Sequence, residues 1–598
     1  MGKVRSQPAQ PKRKFGPTPY PQPGERPPME KRIWHAAYDE NTPIDPDVER
    51  IDLARQFQRT VEKFGNRPAV HFMNRSMNYL ELDDHVGRFA AALQDLGVTK
   101  GTKVAVHLPN LPQTIIAITA TLRLGGQVVM TNPLYVGPEI EHQWHDADCE
   151  VAVTMDYLYD QVLREVRDRL PIRHYIVASI PEYLRFPLKQ LAPLKLKRNN
   201  PPLVARIGRG EDVLFFSEQI NTHRPLKEIA DIDFDDLAAL QYTGGTTGVA
   251  KGAMLSHGNI LSNVQQIRAW FPNTVAGQEV LMAALPFFHI FGLTGCMMWA
   301  HRIGAGIVLA PNPRDIKSLV KSISKHKVSL FPAVPAMFNA INMYPGIERV
   351  DMSSIKSCFS GSAPLPVEVL QRFEELTDCR IVEGFGLTES SPITHGNPMR
   401  GVRKMGSIGT PFPGTDARIV DVATGRTEME PGEEGELIIK GPQVMQGYWN
   451  RPDETALALR DGWLFTGDLA AMDDEGYFVI VGRKKDMIIA SGYNIYPDEI
   501  DRQLMAHPKV MEACTIGIPD PKRGETIKSF VVLNEDEEAT GEELRAYLLD
   551  NLARYKVPRL YEFRSTLPKS SMMKLLRREL RDEELNAISG RKSKKKKR

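Results

Sequence analysis

Short β-rich runs alternate with helical stretches through most of the chain, and this alternation limits the fold more than any other feature. Apolar residues at helical spacing predict helices over 53–64 and 79–96. The alternation predicts an α/β fold in which mostly parallel sheets are covered by helices. The β-rich runs occupy 69–72, 103–107, 127–130, 150–154, 175–178, 280–283, 306–309 and 328–331.

A loop rich in glycine and threonine, YTGGTTGVAKGA at 242–253, follows the apolar run 237–240. Glycines let successive backbone N–H groups form one concave anion site, to which hydroxyl and ammonium groups add donors. The loop is not a Walker A loop, because Lys251 lacks a preceding glycine and a following serine or threonine. We predict that it binds phosphate, with an ordinary turn as the alternative. The residues assigned to binding are Thr243, Gly244, Gly245, Thr246, Thr247, Gly248 and Lys251.

The length of 598 residues exceeds what one compact core holds, so several domains are expected. Short strands separated by glycines predict a β-rich subdomain at 404–482, and a smaller α+β unit follows it. The predicted divisions are a basic, proline-rich, disordered extension at 1–44, a large N-terminal domain at 45–482, a mobile C-terminal domain at 483–585 and a polybasic tail at 586–598.

Positive charge is concentrated at the two ends of the chain. Residues 1–33 carry a net charge of +6 and residues 591–598 carry +7. Since the whole chain carries +2, about −11 remains for the body between them. Two interpretations of the ends stay open: solubilising tails, or peripheral contacts with anionic lipid at the inner membrane face. Nucleic acid is not expected as a partner, because no aromatic pattern accompanies the charges.

Five scattered cysteines without CxxC or Cys/His spacing argue against a disulfide framework or a zinc site, and favour the reducing cytoplasm. The stretch 280–301 contains no Asp, Glu, Lys or Arg and is long enough to span a bilayer. Pro286, Gly292 and Gly295 divide it, so we predict a buried strand, a turn and a buried helix instead. The oligomeric state is left open.

Eight motifs, spread in order over 45–583, resemble those of adenylate-forming enzymes, and specifically of long-chain fatty acyl-CoA ligases. The resemblance implies ATP, Mg²⁺ and CoA as cofactor and co-substrates, and a fatty acid as substrate. A carboxylate would attack the α-phosphate of ATP and release pyrophosphate, and the CoA thiol would then displace AMP. The motifs are YTGGTTGVAKGAMLSH (242–257), LPFFHIFGL (285–293), SGSAPLP (360–366), EGFGLTESSP (383–392), GYWNRPDET (447–455), DGWLFTGDLA (461–470), GRKKDMIIASGYNIYPDEID (482–501) and LPKSSMMKLLRREL (567–580).

The resemblance assigns several residues to the phosphates and the metal ion. Thr246, Thr247 and Lys251 would hold the β- and γ-phosphates, and Thr388 would contact a phosphate. Glu389, with Thr246 beside it, would bind Mg²⁺, an ion that prefers oxygen ligands. From the residues alone, Thr388 and Glu389 are also compatible with a helix N-cap pair.

The resemblance also implies contacts with the nucleoside. Phe385 stands where tyrosine is frequent and would stack on adenine. Asp468 would hold both ribose hydroxyls, and Arg483 would join it. A surface salt bridge is the alternative for this pair. Further residues assigned to the nucleotide are Gly361, Ser362, Ala363, Glu383, Gly384 and Gly386.

Lys574 corresponds to the lysine that the small domain brings to the α-phosphate, although the residues alone show only one of several basic side chains on a helix end. Met573 replaces the glycine usual before it, which restricts the backbone. Lys485 falls at the hinge, Gly492 would line the passage for pantetheine, and Lys440 would meet the CoA phosphates.

The acyl pocket would have an apolar wall from the uncharged stretch 280–301, which suits a fatty chain. His289 is a catalytic candidate there, and a satisfied core histidine is the alternative. Two rival functions remain. One is the same adenylation with an aryl or medium-chain acid, or with another acyl acceptor. The other is a non-catalytic acyl- or nucleotide-binding protein, suggested by Met572 and Met573.

Overall fold

The computed structural model describes residues 31–208, 213–243, 250–490, 493–520, 523–570 and 575–595, with side chains except at 493–494 and 589–595. Several predicted site residues lie outside these ranges, together with 1–30 and 596–598. They are Gly244, Gly245, Thr246, Thr247, Gly248, Gly492 and Lys574.

The strands are numbered in chain order. They are β1 Pro68–Phe72, β2 Arg75–Asn78, β3 Lys103–His107, β4 Gln127–Met130, β5 Val151–Met155, β6 His174–Ala178, β7 Leu214–Phe215, β8 Leu237–Thr243, β9 Lys251–Ser256, β10 Val280–Ala283, β11 Gly306–Leu309, β12 Leu330–Ala333, β13 Ser357–Ser360, β14 Ile381–Gly386, β15 Ile393–Gly396, β16 Thr410–Pro411, β17 Asp416–Val420, β18 Glu434–Lys440, β19 Leu459–Arg460, β20 Trp463–Met472, β21 Phe478–Arg483, β22 Ile488–Ala490, β23 Tyr493–Ile495, β24 Val510–Asp520, β25 Gly524–Leu533 and β26 Leu560–Phe563.

The α-helices are α1 Leu53–Phe64, α2 Tyr79–Asp95, α3 Pro112–Arg123, α4 Gly137–Asp146, α5 Asp156–Leu158, α6 Arg164–Val166, α7 Leu188–Leu196, α8 Phe216–Thr222, α9 His257–Trp270, α10 Ile290–Gly292, α11 Trp299–Ile303, α12 Ile316–His326, α13 Pro335–Asn342, α14 Val367–Thr377, α15 Pro452–Ala458, α16 Pro497–Met505, α17 Gly541–Asn551 and α18 Arg577–Lys595. Shorter 3₁₀ or π turns occupy Ile33–Ala37, Tyr159–Leu163, Arg167–Arg169, Ile180–Tyr183, Leu293–Met298, Ile347–Arg349 and Thr388–Ser390.

Two large sheets form the N-terminal part of the described chain. One has the order β16-β15-β14-β13-β12-β10-β11-β1-β2, and the other β7-β6-β5-β3-β4-β8-β9. Neighbouring strands are parallel except at β2, β15, β16 and β9. The predicted α/β fold with mostly parallel, helix-covered sheets is confirmed.

Helices fill the space between the two large sheets. Helix α2 contacts β1 and β2 of one sheet, α3 contacts β3 and β4 of the other, and the two helices contact each other. Local sequence explains why α2 begins at Tyr79. Asn78 accepts a hydrogen bond from the backbone of Glu81, whose carboxylate accepts one from the backbone of Asn78. Such a capping box satisfies two N–H groups that a helix start leaves free.

The uncharged stretch 280–301 forms β10, a turn and buried helical segments, as predicted. Its apolar side chains pack in the core between β10 and α9. No helix among the described residues is long and apolar enough to cross a bilayer.

Several predicted boundaries shift by one or two residues in the structure. Strand β12 starts at Leu330 because Lys327 has a left-handed backbone, with φ of 52°, that ends α12 first. The run 476–480 in the β-rich subdomain predicts a strand from Gly476, but β21 starts at Phe478 because Gly476, with φ of 84°, closes the preceding turn. Strand β5 starts at Val151, one residue later than expected.

The prediction that residues 1–44 are disordered is wrong for 31–44. Trp34 is buried, with its ring 5.9 Å from the ring of Phe478. Arg32 forms an ion pair with Asp416 at 2.9 Å. A buried indole and a paired guanidinium offset the entropy of ordering this segment. At the other end, α18 continues to Lys595, so the segment predicted as a tail from 586 begins as helix.

Antiparallel strands dominate beyond residue 410. Strands β17 to β21 form one five-stranded sheet, as expected for the β-rich subdomain, and β22 to β26 form another that α16, α17 and α18 accompany. Tyr496, which directly precedes α16, packs beside Gly482 of β21. The domain divisions predicted above remain predictions.

Arg577 at the start of α18 ties this smaller unit together. Its guanidinium pairs with Asp498 at 2.6 Å and Asp501 at 2.5 Å, and lies 3.6 Å from Asp486. Burial raises the pKa of Asp501 to about 6, and Arg577 opposes that rise. The cation therefore offsets part of the cost of burying the Asp501 carboxylate.

Replacing Arg577 by leucine is expected to destabilise the chain by ~3 kcal/mol at neutral pH, the scale of breaking a buried ion pair. Because the pKa of Asp501 is higher in the folded chain than in the unfolded chain, its protonated carboxyl stabilises the fold. This contribution to the free energy of unfolding is present at low pH and is lost as pH rises to about 6. Urea unfolding at about pH 5 and about pH 7.5 measures both effects. Arg581→Leu, which removes the more exposed pair with Glu525 from the same helix, is the control. An equal decrease in the free energy of unfolding in both variants would show that the Arg577 cluster contributes no more than an exposed ion pair.

Candidate active site

The glycine loop is held by a hairpin at the edge of the seven-stranded sheet. Strands β8 and β9 are antiparallel, and Thr243 is paired directly with Lys251. Most of the loop itself, 244–249, lies outside the described residues. The hairpin therefore fixes both ends of the predicted phosphate loop, and Lys251 is the first residue of the strand that follows the loop.

Lys251 lies in a partly buried, polar environment. Its ammonium group forms an ion pair with Glu454 and lies 5.1 Å from the ring centroid of Tyr448. Burial lowers the pKa of Lys251, and the nearby charge of Glu389 raises it. A cation between two carboxylates can exchange one of them for a phosphate group.

Tyr448 joins this cation to Glu389. Its hydroxyl donates a hydrogen bond to Oε1 of Glu389 at 2.7 Å. Its backbone extends the sheet, since Trp449 N donates to Gly252 O at 2.8 Å and Met254 N donates to Gly447 O at 2.9 Å. Burial and Glu389 both raise the pKa of Tyr448, so its hydroxyl remains a donor.

Asp146 fastens the same segment to the glycine-loop strand. Its carboxylate accepts a hydrogen bond from the hydroxyl of Tyr242 at 2.7 Å and pairs with Arg451 at 2.8 Å. Its carbonyl accepts from the indole N–H of Trp449 at 2.9 Å. This hub holds 447–455 against β8, directly before the loop.

The turn carrying Thr388 and Glu389 follows β14 at the carboxyl edge of the nine-stranded sheet. The backbone N–H of Met445 donates to the carbonyl of Glu389 at 2.8 Å. Thr388 is the first residue inside a short 3₁₀ turn whose N-cap is Leu387. Thr388 is therefore not the N-cap of a helix. The side chains of Thr388 and Glu389 are both half-buried.

Close packing explains the glycines assigned to the nucleotide on β14. A Cβ on Gly384 would lie 2.0 Å from Phe359, and one on Gly386 would lie 2.2 Å from the carbonyl of Pro392. Phe385 between them is half-buried, with its ring 6.1 Å from that of His395. The glycines let β14 approach Phe359 and Pro392 closely, and its pairing with β15 shifts register between Phe385 and Gly386.

Glu383 is connected to the turn after β13. Its buried carboxylate accepts a hydrogen bond from the backbone N–H of Leu365 at 3.1 Å, and burial raises its pKa. Gly361 is buried beneath Phe291, whereas Ser362 and Ala363 are exposed. The structure thus gives Glu383 a positioning contact with the turn at 361–365.

His289 lies at the turn between β10 and α10. Its Nδ1 accepts a hydrogen bond from the backbone N–H of Phe291 at 3.2 Å, so the neutral ring carries its proton on Nε2. The side-chain amide of Gln241, on β8, donates to the carbonyl of Phe288. This bond joins the His289 turn to the glycine-loop strand. The ring is half-buried, and its catalytic role stays a prediction.

Asp468 and Arg483 lie opposite each other on β20 and β21. The carboxylate is 1% exposed and pairs with Nε of Arg483 at 2.6 Å. The carboxylate is therefore buried, unlike that of a surface salt bridge. Lys484 follows, paired with the buried Glu436 at 2.8 Å, and Lys485 stands in the turn that leads to the smaller unit. Burial lowers the pKa of Lys485.

Two family matches cover most of the chain. The AMP-binding enzyme family matches residues 57–449, and the AMP-binding enzyme C-terminal domain matches residues 499–574. The chain belongs to the AMP-binding enzyme family. The resemblance to adenylate-forming ligases is confirmed.

Relatives of this AMP-binding enzyme align over nearly their whole length. A long-chain-fatty-acid–CoA ligase of Bacillus subtilis (strain 168) is 43% identical over 556 residues, 93% of this chain and 98% of that ligase. ATP-bound MatB from Rhodopseudomonas palustris superimposes with a TM-score of 0.77 and 27% identity, covering 89% of this chain and 99% of MatB. The anthranilate CoA ligase AuaEII, in complex with anthranoyl-AMP, superimposes with a TM-score of 0.79 and 25% identity. The match covers 90% of this chain and 98% of AuaEII.

The geometry of this AMP-binding enzyme adds residues that sequence reasoning did not assign. Tyr448, Glu454 and Asp146 each contact a predicted site residue or the segment that holds it. Tyr448 and Glu454 lie in the motif GYWNRPDET (447–455), so this motif could have identified them as site residues. Asp146 ends α4 with no motif around it. Lys440 is exposed beside the ring of Trp463, away from these contacts.

Proposed function

We propose that this chain is an ATP-dependent ligase that converts long-chain fatty acids into acyl-CoA through an acyl-AMP intermediate. The observation that carries the proposal is the meeting of Lys251, Tyr448 and Glu389 beside the glycine loop. It occurs in a chain 43% identical to a ligase of that name. The reaction consumes ATP and CoA and releases AMP and pyrophosphate.

In the first half-reaction, a fatty-acid carboxylate oxygen attacks the α-phosphorus of ATP, and the bond to the β-phosphate oxygen breaks. We assign the glycine loop and Lys251 to the departing pyrophosphate, and Lys574 to neutralising charge on the carboxylate and the α-phosphate. The chain's contribution is positioning and fixed positive charge, because the bonds that change all belong to the substrates.

Glu389 is the proposed carboxylate ligand of Mg²⁺. Its donor chemistry fits, because Mg²⁺ is usually bound by one or two carboxylates together with substrate phosphates. When bound, the ion neutralises phosphate charge. Tyr448 donates to Oε1 of Glu389 and so orients the carboxylate.

In the second half-reaction, the thiol of CoA loses its proton to solvent and its sulfur bonds to the acyl carbon, while the bond from that carbon to the phosphate oxygen of AMP breaks and AMP leaves. We place the hinge at Lys485, with the smaller unit turning to present Gly492 to pantetheine and to withdraw Lys574. Lys440 remains the candidate for the CoA phosphates. Closure of a domain around bound substrate commonly completes a catalytic site in this way.

The buried uncharged stretch supports a fatty substrate. Phe287, Phe291 and Met297 are buried around the turn that carries His289. Apolar walls suit an alkyl chain, and each methylene contributes ~0.8 kcal/mol, so chain-length preference depends on tunnel depth.

Replacing Tyr448 by phenylalanine is expected to raise the Mg²⁺ concentration needed for half-maximal pyrophosphate exchange by ~10-fold, the scale of losing one outer-shell partner of a metal ligand. The ring that faces Lys251 remains, so phosphate binding should change little. A Mg²⁺ titration of the exchange rate checks this. Tyr477→Phe, which removes a hydroxyl bond to the carbonyl of Val402, is the control. An unchanged Mg²⁺ dependence would remove Glu389 from the metal site.

The proposed function is tested with a panel of acids from acetate to octadecanoate, with coumarate included, scored by CoA-dependent AMP formation. We expect the highest kcat/KM with long alkyl acids. Preference for coumarate or another aryl acid would instead support the alternative substrate class, which AuaEII represents among structural relatives. AMP formation that does not depend on CoA would indicate another acceptor. Absence of pyrophosphate exchange with every acid would leave a non-catalytic binding protein.

A further inference from the structure

Helix α7 presents leucines to solvent. Leu188, Leu191 and Leu194 are 41%, 54% and 64% exposed, and Phe186 just before the helix is 76% exposed. Spacing of three residues keeps the leucines on one side of the helix. The described chain therefore carries an outward apolar face here, on a nine-residue helix.

The inner side of the same helix is also apolar. Ala192 and Leu196 are partly buried and pack against the core, as does Leu203 in the segment that follows. The backbone N–H of Leu203 donates to the carbonyl of Leu196 at 3.0 Å. The core covers only the inner side of this helix. The apolar outer side is therefore typical of a helix that binds a second apolar partner or medium.

Basic residues surround the exposed leucines. Between 183 and 208 the sequence contains six basic residues and no Asp or Glu. All six are exposed: Arg185, Lys189, Lys195, Lys197, Arg198 and Arg206. An apolar face with a cationic border is complementary to a surface that is apolar inside and anionic outside.

The face is anchored to the large sheet through the β1–β2 turn. Arg185 N donates to the side-chain carbonyl of Asn74 at 3.1 Å, and the Asn74 amide donates to Arg185 O at 3.2 Å. The turn adds Met73, which is 49% exposed, and Lys325 donates to the Met73 carbonyl at 3.4 Å. The apolar and basic groups therefore sit on a fixed part of the fold.

We propose that Phe186, Leu188, Leu191 and Leu194, called here the leucine face, insert into the headgroup region of an anionic lipid bilayer. The basic residues around the face would contact lipid phosphates. The charge favours an anionic lipid surface, because the segment 183–208 carries six basic residues and no acidic residue around the apolar face. The proposal does not depend on the proposed function, since none of these residues belongs to the candidate active site. It is also distinct from lipid contact through the basic ends of the chain.

The test uses the full chain and phosphatidylcholine vesicles with and without about 30% phosphatidylglycerol, in a sedimentation assay. The variant combines Leu188→Ser, Leu191→Ser and Leu194→Ser, and is expected to bind the anionic vesicles at least ~10-fold more weakly. The matched control combines Met343→Ser, Val402→Ser and Val275→Ser, whose side chains are 75%, 61% and 46% exposed. The control should bind as the native chain does, and turnover of a short, water-soluble acid should be equal in both.

Two further variants separate the sources of binding. Replacing Lys189, Lys195, Lys197 and Arg198 by glutamine should remove the preference for phosphatidylglycerol. Replacing the basic residues of 591–598 by glutamine should leave most binding intact. Binding lost with the tail variant but kept by the leucine variant would overturn the proposal. So would a leucine variant that changes only the oligomeric state, because the face would then meet a second copy.

Insertion can be observed directly with a fluorescent label. All five native cysteines are buried, so an exposed cysteine can be labelled selectively with a polarity-sensitive dye. The dye on Leu191→Cys should shift to shorter wavelength on anionic vesicles, whereas the dye on Met343→Cys should not. Equal spectra at the two positions would contradict insertion of the leucine face.

Discussion

Replacing Lys574 by alanine is expected to lower the rate of acyl-adenylate formation by at least ~10²-fold, the scale of losing one preorganised charge-stabilising donor. A cation between the carboxylate and the α-phosphate acts only while the Pα–O bond forms. Thioester formation from supplied acyl adenylate should therefore be largely spared. Pyrophosphate exchange measures the first half-reaction, and CoA-dependent AMP release from the adenylate measures the second.

The neighbouring lysine provides the control for this variant. Lys569 lies five residues earlier and forms an ion pair with Glu512 within the smaller unit. Lys569→Ala removes a positive charge from the same segment and should change neither half-reaction by more than ~3-fold, as expected for a mostly structural surface pair. Equal loss of both half-reactions in Lys574→Ala would count against its assigned role.

Replacing Asp468 by asparagine is expected to lower kcat/KM for ATP by at least ~10²-fold. A buried carboxylate that accepts two ribose hydroxyls makes two charge-assisted hydrogen bonds, each worth ~1.5–3 kcal/mol. Asparagine keeps the shape but loses the charge that balances Arg483, which lies 2.6 Å away. Steady-state kinetics with ATP varied, together with the KM for the fatty acid, shows whether the loss is confined to the nucleotide.

A second aspartate near the same pair of strands serves as the control for Asp468. Asp473 follows β20 and pairs with Lys404 at 2.6 Å, with its side chain 42% exposed. Asp473→Asn should leave the kinetics with ATP within ~2-fold of the native chain, because exposed pairs contribute little. If Asp468→Asn folds normally and its kcat/KM for ATP matches this control, Asp468 does not bind ribose.

Local sequence was sufficient for most of the elements. Helix α1 was predicted with its observed bounds, because Leu53, Phe57 and Val61 face the core at helical spacing and Asp52 caps the start. Short β-rich runs were found within one or two residues, since alternating apolar content needs no knowledge of neighbours. Errors arose where a turn conformation decided the boundary, as at Lys327 and Gly476.

The N-terminal extension shows where composition was a poor guide. Proline and basic residues predicted disorder up to residue 44, yet Trp34 packs on Phe478 and Arg32 pairs with Asp416. Both partners lie more than 380 residues away in sequence. No local pattern contains such a contact, so the boundary could not be derived from composition.

The candidate site divides in the same way. Lys251 was predicted from the residues of the glycine loop, and Glu389 was implied by the resemblance of its motif to adenylate-forming enzymes. Their connection through Tyr448, and the pairing of Lys251 with Glu454, depend on how 445–455 lies along β9. Likewise, Glu383 was assigned to the nucleotide, and only the fold shows its contact with the backbone of Leu365.

What the sequence by itself determined is the alternation of strands and helices, through its periodicity, and the family, through its motifs. The phosphate loop was predicted from its glycines, hydroxyls and lysine, whereas the ribose and magnesium residues were implied by the resemblance and remain predictions. The tertiary structure alone decided which distant side chains meet, that residues 31–44 are ordered, and that the leucines of α7 face outward. Those outcomes depend on which surfaces pack together, and burial of a surface is a property of the folded chain rather than of any segment.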